Sequence, residues 1–281
     1  MQTDLTFLVK RRLLRDPFAV LGLVLICGLI MLAILAPIIG SPIAQDLGQR
    51  LLPTGSSGHV LGTDHFGRDL AARLAYGARV SLRVGLLAST ISLTIGVILG
   101  LLAGYFGGWV DTLIMRFTDI MLGFPVLLFL IAISATLDPG LDTALIAIGC
   151  VSWPPMARLM RAQVLTIRSR EYLVATTALG LNHIRTMIRH ILPNCMAPVI
   201  VTFTLGISGA IMAEASLSFL GLGVQPPTPS WGAMINEGKD FLRIAPWISL
   251  FPGLTIAMTV LGFNLLGESL RDALDVRLKE K

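Results

Sequence analysis

The sequence predicts an all-α integral membrane protein with six transmembrane helices. Charged residues make up 14% of the chain, against about 25% in a typical soluble domain, and 54% of its residues are hydrophobic. Mean hydropathy is +0.78, and the uncharged runs are long. The positive charge concentrates between those runs, on one side of the implied membrane.

A span needs about 20 apolar residues to cross roughly 30 Å of hydrocarbon. Six segments qualify: Phe18–Ile39, Val84–Phe106, Phe117–Leu137, Leu141–Ala157, Ile191–Ala213 and Ile244–Gly267. The first follows "KRRLLRDPF", a charge order that signal peptides share. Its uncharged stretch, residues 17–45, is far longer than a signal core of about 7–15 residues, so it is expected to stay as a signal anchor. The second span is 23 residues without a charge, about 34 Å as a helix. The fourth is the shortest: 15 residues separate Asp142 from Arg158, and Pro154-Pro155 interrupts it. It crosses if Arg158 and Arg161 snorkel to the interface.

Six spans place both termini on one side. Residues 1–16, 107–116, 158–190 and 268–281 carry 15 of the 22 Lys and Arg, and the opposite side carries 7. The excess assigns both termini to the cytoplasm. Five arginines at positions 50, 68, 73, 79 and 83 weaken the asymmetry. They are accommodated by reading "RDLAARLAYGARVSLRV" as an amphipathic helix lying at the outer interface. Residues 223–232, "GVQPPTPSWG", read as an extended outer loop. The expected organisation is a terminal tail, first span and outer loop over residues 1–83, then a five-helix core over 84–281.

The basic insert at 158–190 faces the cytoplasm. Within it Tyr172, Ala175 and Leu179 form one helical stripe, and Gly180 suits a C-terminal turn. Asn182 is a good N-cap for a second short helix to His190. Pro193 then opens the next span at a tolerated position. Helix, glycine turn, helix and membrane re-entry is a shape for packing, either against the chain itself or against a partner.

These residues resemble the EAA loop of ATP-binding cassette importer permeases, whose pattern is EAA, three residues, Gly, nine residues, I-x-L-P. Ala175, Gly180, Leu192 and Pro193 fall on it. Val174, Thr176 and His190 depart from it, and Glu171 stands three residues ahead of the motif's glutamate position. Further stretches, "LGTDHFGRDLAARLAYGARVSL" (61–82), "GYFGGWVDTLIMRFTDIMLGFP" (104–125), "FLGLGVQPPTPSWGAMI" (219–235) and "FPGLTIAMTVLGFNLLGESLRDALD" (251–275), are similar to C-type permease subunits of dipeptide, oligopeptide and nickel importers. The wording of 223–232 leans toward peptides, with a nickel or glutathione permease as the alternative within the family.

The resemblance implies a type I importer permease fold of the MetI-like kind in a bacterial inner membrane. It implies a homologous B-type permease as partner, two cytoplasmic ATPases that carry ATP and Mg, and an external binding protein. Glu171, Tyr172, Ala175, Thr176, Leu179 and Gly180 become the coupling surface, in a loop at about 165–190.

Other residues were weighed on their own chemistry. No GxxxxGK[ST] loop occurs, so ATP hydrolysis is expected elsewhere. Gly96, Gly100 and Gly104 recur at small-xxx-small spacing and predict close helix packing. Asp119 and Glu214 lie nearest the membrane interior and are candidates for pore or gating contacts, or for structural contacts between helices. Asp64, Arg68 and Asp69 offer an external docking surface, or a turn and helix cap with Thr63 or Asp64 capping. The four histidines and three cysteines show no metal-ligand spacing, and Cys27, Cys150 and Cys195 read as small buried hydrophobes. No HExxH or GxSxG supports a protease or esterase. No basic domain stands apart to bind nucleic acid. A stand-alone secondary transporter would need inverted repeats of broken helices that the chain does not display.

Overall fold

The computed structural model describes residues 11–171, 173 and 181–279, and its regular structure is helical. α1 (Pro17–Ile39) starts where Asp16 accepts the Phe18 amide at 3.0 Å and Pro17 takes the first turn. Ala19, Gly22, Ile26, Leu29, Ala33 and Ala36 repeat at three- and four-residue spacing and form its buried face. α2 (Leu70–Phe106) is followed by α3 (Gly108–Gly123), α4 (Val126–Thr136), α5 (Leu141–Val151) and α6 (Pro154–Arg168). α7 (His183–Phe219) is continuous through a π turn at Met187–Ile191, and α8 (Trp231–Gly238) and α9 (Trp247–Lys279) complete the chain.

Five of these helical stretches are long and apolar enough to cross a membrane, and the bent pair α3 and α4 makes six. The expected third span is therefore not one straight helix: α3 and α4 meet at 87°. Pro125 forces Phe124 into an extended conformation (φ −99, ψ 139), which ends α3. The expected fourth span is longer than its apolar core. α5 and α6 together form one span over Leu141–Arg168, with the helix interrupted where Pro154 and Pro155 follow Ser152 and Trp153.

The interfacial helix expected before the second span does not exist separately. α2 runs unbroken for 37 residues, about 55 Å, and the position 83–84 lies inside it. Its first turns bury Leu70, Arg73, Leu74, Gly77 and Ala78 rather than lying on a lipid surface. Trp231 causes this: its indole stands where Gly77 has no side chain and donates to the Leu74 carbonyl at 3.1 Å. Trp231 also begins α8, with Ser230 as N-cap, so helix starts inside the expected extended loop. Likewise, the short helix from Asn182 and the following span form the single helix α7.

Three apolar clusters hold the helices together. One joins α1, α2, α7, α8 and α9. A second joins α2, α4, α5 and α7. The third joins α2, α6 and the start of α7 at the opposite end from the first. Cys27 and Cys150 stand on exposed helix faces, contrary to expectation, and Cys195 is buried.

Candidate functional site

α6 and α7 converge on the two ends of the segment between Ser169 and Asn182, the one expected to face the cytoplasm. The glycines of α2 allow α6 to sit against it. A Cβ at Gly96 would lie 2.6 Å from the Met156 Cβ, at Gly100 2.7 Å from the Met160 Cβ, and at Gly104 2.7 Å from the Val164 Cβ. Three glycines thus face three side chains at matching four-residue steps, which is the close packing their spacing predicts.

Two ion pairs tie α6 to α3. Arg161 grips Asp111 with both sides of its guanidinium, at 2.5 and 2.6 Å. Arg158 donates to Asp119 at 2.7 Å, with both side chains more than half exposed. Asp119, a candidate for pore or gating contact, is paired with Arg158 between α6 and α3 and remains more than half exposed.

Past α6, Glu171 is exposed and Leu173 is buried in the third apolar cluster with Met187, Ile191 and Cys195. The remaining expected coupling residues, Tyr172, Ala175, Thr176, Leu179 and Gly180, lie outside the described residues. Leu173 was missed as a site residue. Its signal was faint: an apolar side chain after Arg168-Ser169-Arg170-Glu171, extending the buried face of Val164 and Ile167. On the return, the Asn182 side chain accepts the Ile184 amide at 3.0 Å and caps α7. His183 Nδ1 and the Tyr105 hydroxyl are 2.8 Å apart, so α2 and α7 are bridged next to the segment. A cavity of about 410 Å³ opens there, lined by Tyr105, Phe106, Arg168, Leu173, His183, Thr186 and Ile191.

At the opposite end of the bundle, the structure turns Asp64 and Arg68 inward. Asp64 Oδ1 accepts the amides of Phe66 and Arg68 at 2.8 and 3.0 Å. Its Oδ2 receives Arg68 Nε at 2.5 Å. Arg68 and Arg73 both donate to Glu237 Oε2, at 2.6 and 3.0 Å. With Asp64 1% and Arg68 6% exposed, these side chains fasten the loop to α2 and α8. Asp69 is the N-cap of α2, accepting the Ala72 amide at 2.8 Å, and its other oxygen meets His59 Nδ1 at 2.7 Å. The cap is thus Asp69, not Thr63 or Asp64.

His65 completes this cluster, stacked on Phe241 at 5.2 Å between ring centroids. Burial pushes its imidazole below the usual 6.5; Arg68 and Arg73 add to the shift, while Asp64 and Glu237 oppose it. Asp64, His65 and Glu237 bring ligand-type atoms within 4.8 Å of one another, but the two guanidiniums already occupy both carboxylates. Glu214 is fully buried near the end of α7. It accepts from the Ser218 hydroxyl at 2.7 Å, and that hydroxyl accepts the Val224 amide at 3.0 Å. This ties the helix end to the following turn.

Comparison with known proteins agrees with this architecture. Residues 96–280 match the family described as binding-protein-dependent transport system inner membrane component. Residues 6–53 match the N-terminal transmembrane domain of oligopeptide transport permease C. The dipeptide transport system permease protein DppC of Alkalihalophilus pseudofirmus is 47% identical over 270 residues, covering 96% of this chain and 89% of that protein. DppC of Escherichia coli is 47% identical over 273 residues, covering 95% and 91%. A putative peptide transport system permease of Brucella abortus is 44% identical over 277 residues, covering 97% and 92%. Among solved structures, a chain of the MetNI methionine ABC transporter in an inward-facing conformation aligns with a TM-score of 0.59 at 15% identity, covering 72% of this chain and 96% of that one.

Proposed function

Because the chain belongs to the inner membrane components of binding-protein-dependent transport systems, we propose that it is the permease subunit of an ATP-driven importer of di- or oligopeptides. It forms half of a translocation pore with a homologous B-type permease. Two cytoplasmic ATPases bind ATP and Mg and dock on the loop at about 165–190, and an extracytoplasmic binding protein delivers the peptide. Both termini lie in the cytoplasm of a bacterial cell, as the 15 to 7 distribution of Lys and Arg favours.

The peptide reading rests on near full-length identity to permeases named for peptides. The observation that carries the coupling role is the stiffness of the platform around Ser169–Asn182. α6 is locked to α2 by backbone-close contacts, held to α3 by the bidentate Arg161–Asp111 pair, and α7 is joined to α2 at Tyr105–His183. A force delivered between α6 and α7 would act on helices that are packed against α2 and α3. The chain supplies geometry, and the energy comes from the ATPase partners.

The test combines purification with a coupling assay. The chain is expected to co-purify with a second permease and ATP-binding subunits. Gly180→Pro together with Ala175→Asp is expected to separate ATP hydrolysis from peptide uptake. Unchanged assembly and unchanged uptake in this double variant would refute the coupling role. Uptake driven by an ion gradient in liposomes holding this chain alone would refute the importer reading.

A further inference from the structure

A second cavity of about 410 Å³ lies within the membrane between α2, the α5–α6 junction and α7. No charged residue lines it, and Ser89, Ser92, Ser152 and Thr202 bring hydroxyls to an otherwise apolar wall. Ser89 is 6% exposed, and its hydroxyl has no hydrogen-bond partner. Elsewhere on α2, Thr90 and Thr94 return their hydroxyls to carbonyls one turn back, each at 2.7 Å. An unpartnered buried hydroxyl costs about 1–3 kcal/mol; Ser81 and Ser134 are likewise unpartnered, but Ser89 is the one of the three that lines the cavity, where a ligand could bond to it.

The backbone makes the same point. Pro154 and Pro155 have no N–H to give to the carbonyls of Cys150 and Val151, one helical turn earlier. The interruption at Ser152 and Trp153 falls in the middle of the Leu141–Arg168 span. Irregular backbone at membrane depth is tolerated where it is buried in protein or lines a cavity that can satisfy it. On the opposite wall, a Cβ at Gly209 would meet nothing within 4 Å, and one at Gly206 only the Ser89 Oγ at 3.8 Å. The space is kept by absent side chains.

Resting on the peptide-importer reading, we propose that this cavity is the chain's share of the peptide path, with backbone amides of the substrate bonding to the hydroxyls in its wall, Ser89 first among them. An uncharged wall does not sort peptides by the sign of their side chains. Hydroxyl groups recognise the amide that all peptides share. The volume lies within the range of about 300–1,000 Å³ that holds small ligands.

The test uses the complete complex, with partner permease, ATPases and binding protein, in proteoliposomes supplied with radiolabelled dialanine. Ser89→Ala removes a hydroxyl that bonds to nothing in the chain, so the fold is retained and the KM for uptake rises about fivefold, the worth of one lost hydrogen bond. Gly209→Leu fills the space and stops uptake. Ser89→Cys, in a chain with Cys27, Cys150 and Cys195 replaced by alanine, reacts with a water-soluble methanethiosulfonate reagent, and dialanine slows that reaction. Wild-type uptake kinetics in both Ser89→Ala and Gly209→Leu overturn the proposal. So does a Ser89→Cys thiol that stays unreactive during turnover, since lipid or a partner helix then fills the cavity. If Gly209→Leu fails to assemble, Ser89→Ala and Ser89→Cys decide. If the unaltered complex imports no peptide, the peptide-importer reading falls and the ligand class with it, while the thiol reaction still reports whether a path passes here.

Discussion

Replacing Gly100 with alanine forces α2 away from α6. The new Cβ would lie 2.7 Å from the Met160 Cβ and closer still to the Ala157 carbonyl oxygen, which is backbone and cannot swing aside. Carbon atoms rest at about 3.5–4.0 Å, so the helices must part by about 1 Å, and a gap of that size forfeits about a quarter to a half of each contact's attraction along the seam. Met156 against Gly96 and Val164 against Gly104 lose contact too. Overpacking of this kind costs about 1–3 kcal/mol. Alanine returns about 1 kcal/mol through its helix propensity, leaving a net loss of up to about 2 kcal/mol, while the difference from a Gly→Ala control without the clash is the full cost of about 1–3 kcal/mol. Gly28 is the control, because a Cβ there meets nothing within 4 Å. Denaturant unfolding of the purified chain in detergent measures the difference, and uptake per ATP hydrolysed in the complex measures whether the shifted α6 still transmits force. Equal unfolding midpoints for Gly100→Ala and Gly28→Ala would refute the reasoning, since the seam would then not be the constraint.

Two further perturbations follow from the ion pairs and the buried imidazole. Arg161→Ala removes two charge-assisted hydrogen bonds to Asp111 and is expected to cost about 1.5–3 kcal/mol, whereas Arg158→Ala, at an exposed pair, costs at most about 1 kcal/mol; comparable losses in denaturant unfolding would contradict the assignment. His65 has a folded pKa below its unfolded 6.5, so below that pH the unfolded chain takes up a proton that the folded imidazole refuses. Stability is therefore expected to fall as pH drops from 6.5 toward the folded pKa. His65→Phe keeps the stack on Phe241 and should flatten this part of the pH dependence of the unfolding midpoint. An unchanged slope would show that another group carries it.

Several features were legible in the order of the residues alone. The apolar runs located the spans because hydrocarbon accepts only a backbone that satisfies its own hydrogen bonds, and a helix does so within one segment. Gly96, Gly100 and Gly104 announced a close contact because a four-residue step keeps them on one face. Asn182 announced a helix start by local chemistry. Each of these signals is complete within a few turns of chain.

What the local pattern could not hold was decided by partners far away in sequence. The stretch "GTDHFGRD" reads as an exposed polar loop until Glu237, 169 residues after Arg68, comes to receive its guanidinium. The first turns of α2 read as an interfacial helix until Trp231 fills the space above Gly77 and bonds to Leu74. The membrane cavity is invisible for the same reason: Ser89, Ser152 and Gly209 sit on three different stretches of helix, and their emptiness belongs to the space between them. The sequence determined that the chain is helical and where its apolar spans lie, because hydropathy acts residue by residue. Only the tertiary structure decided which polar groups are paired and which are left open, because burial and hydrogen bonding depend on neighbours that the chain brings together from a distance.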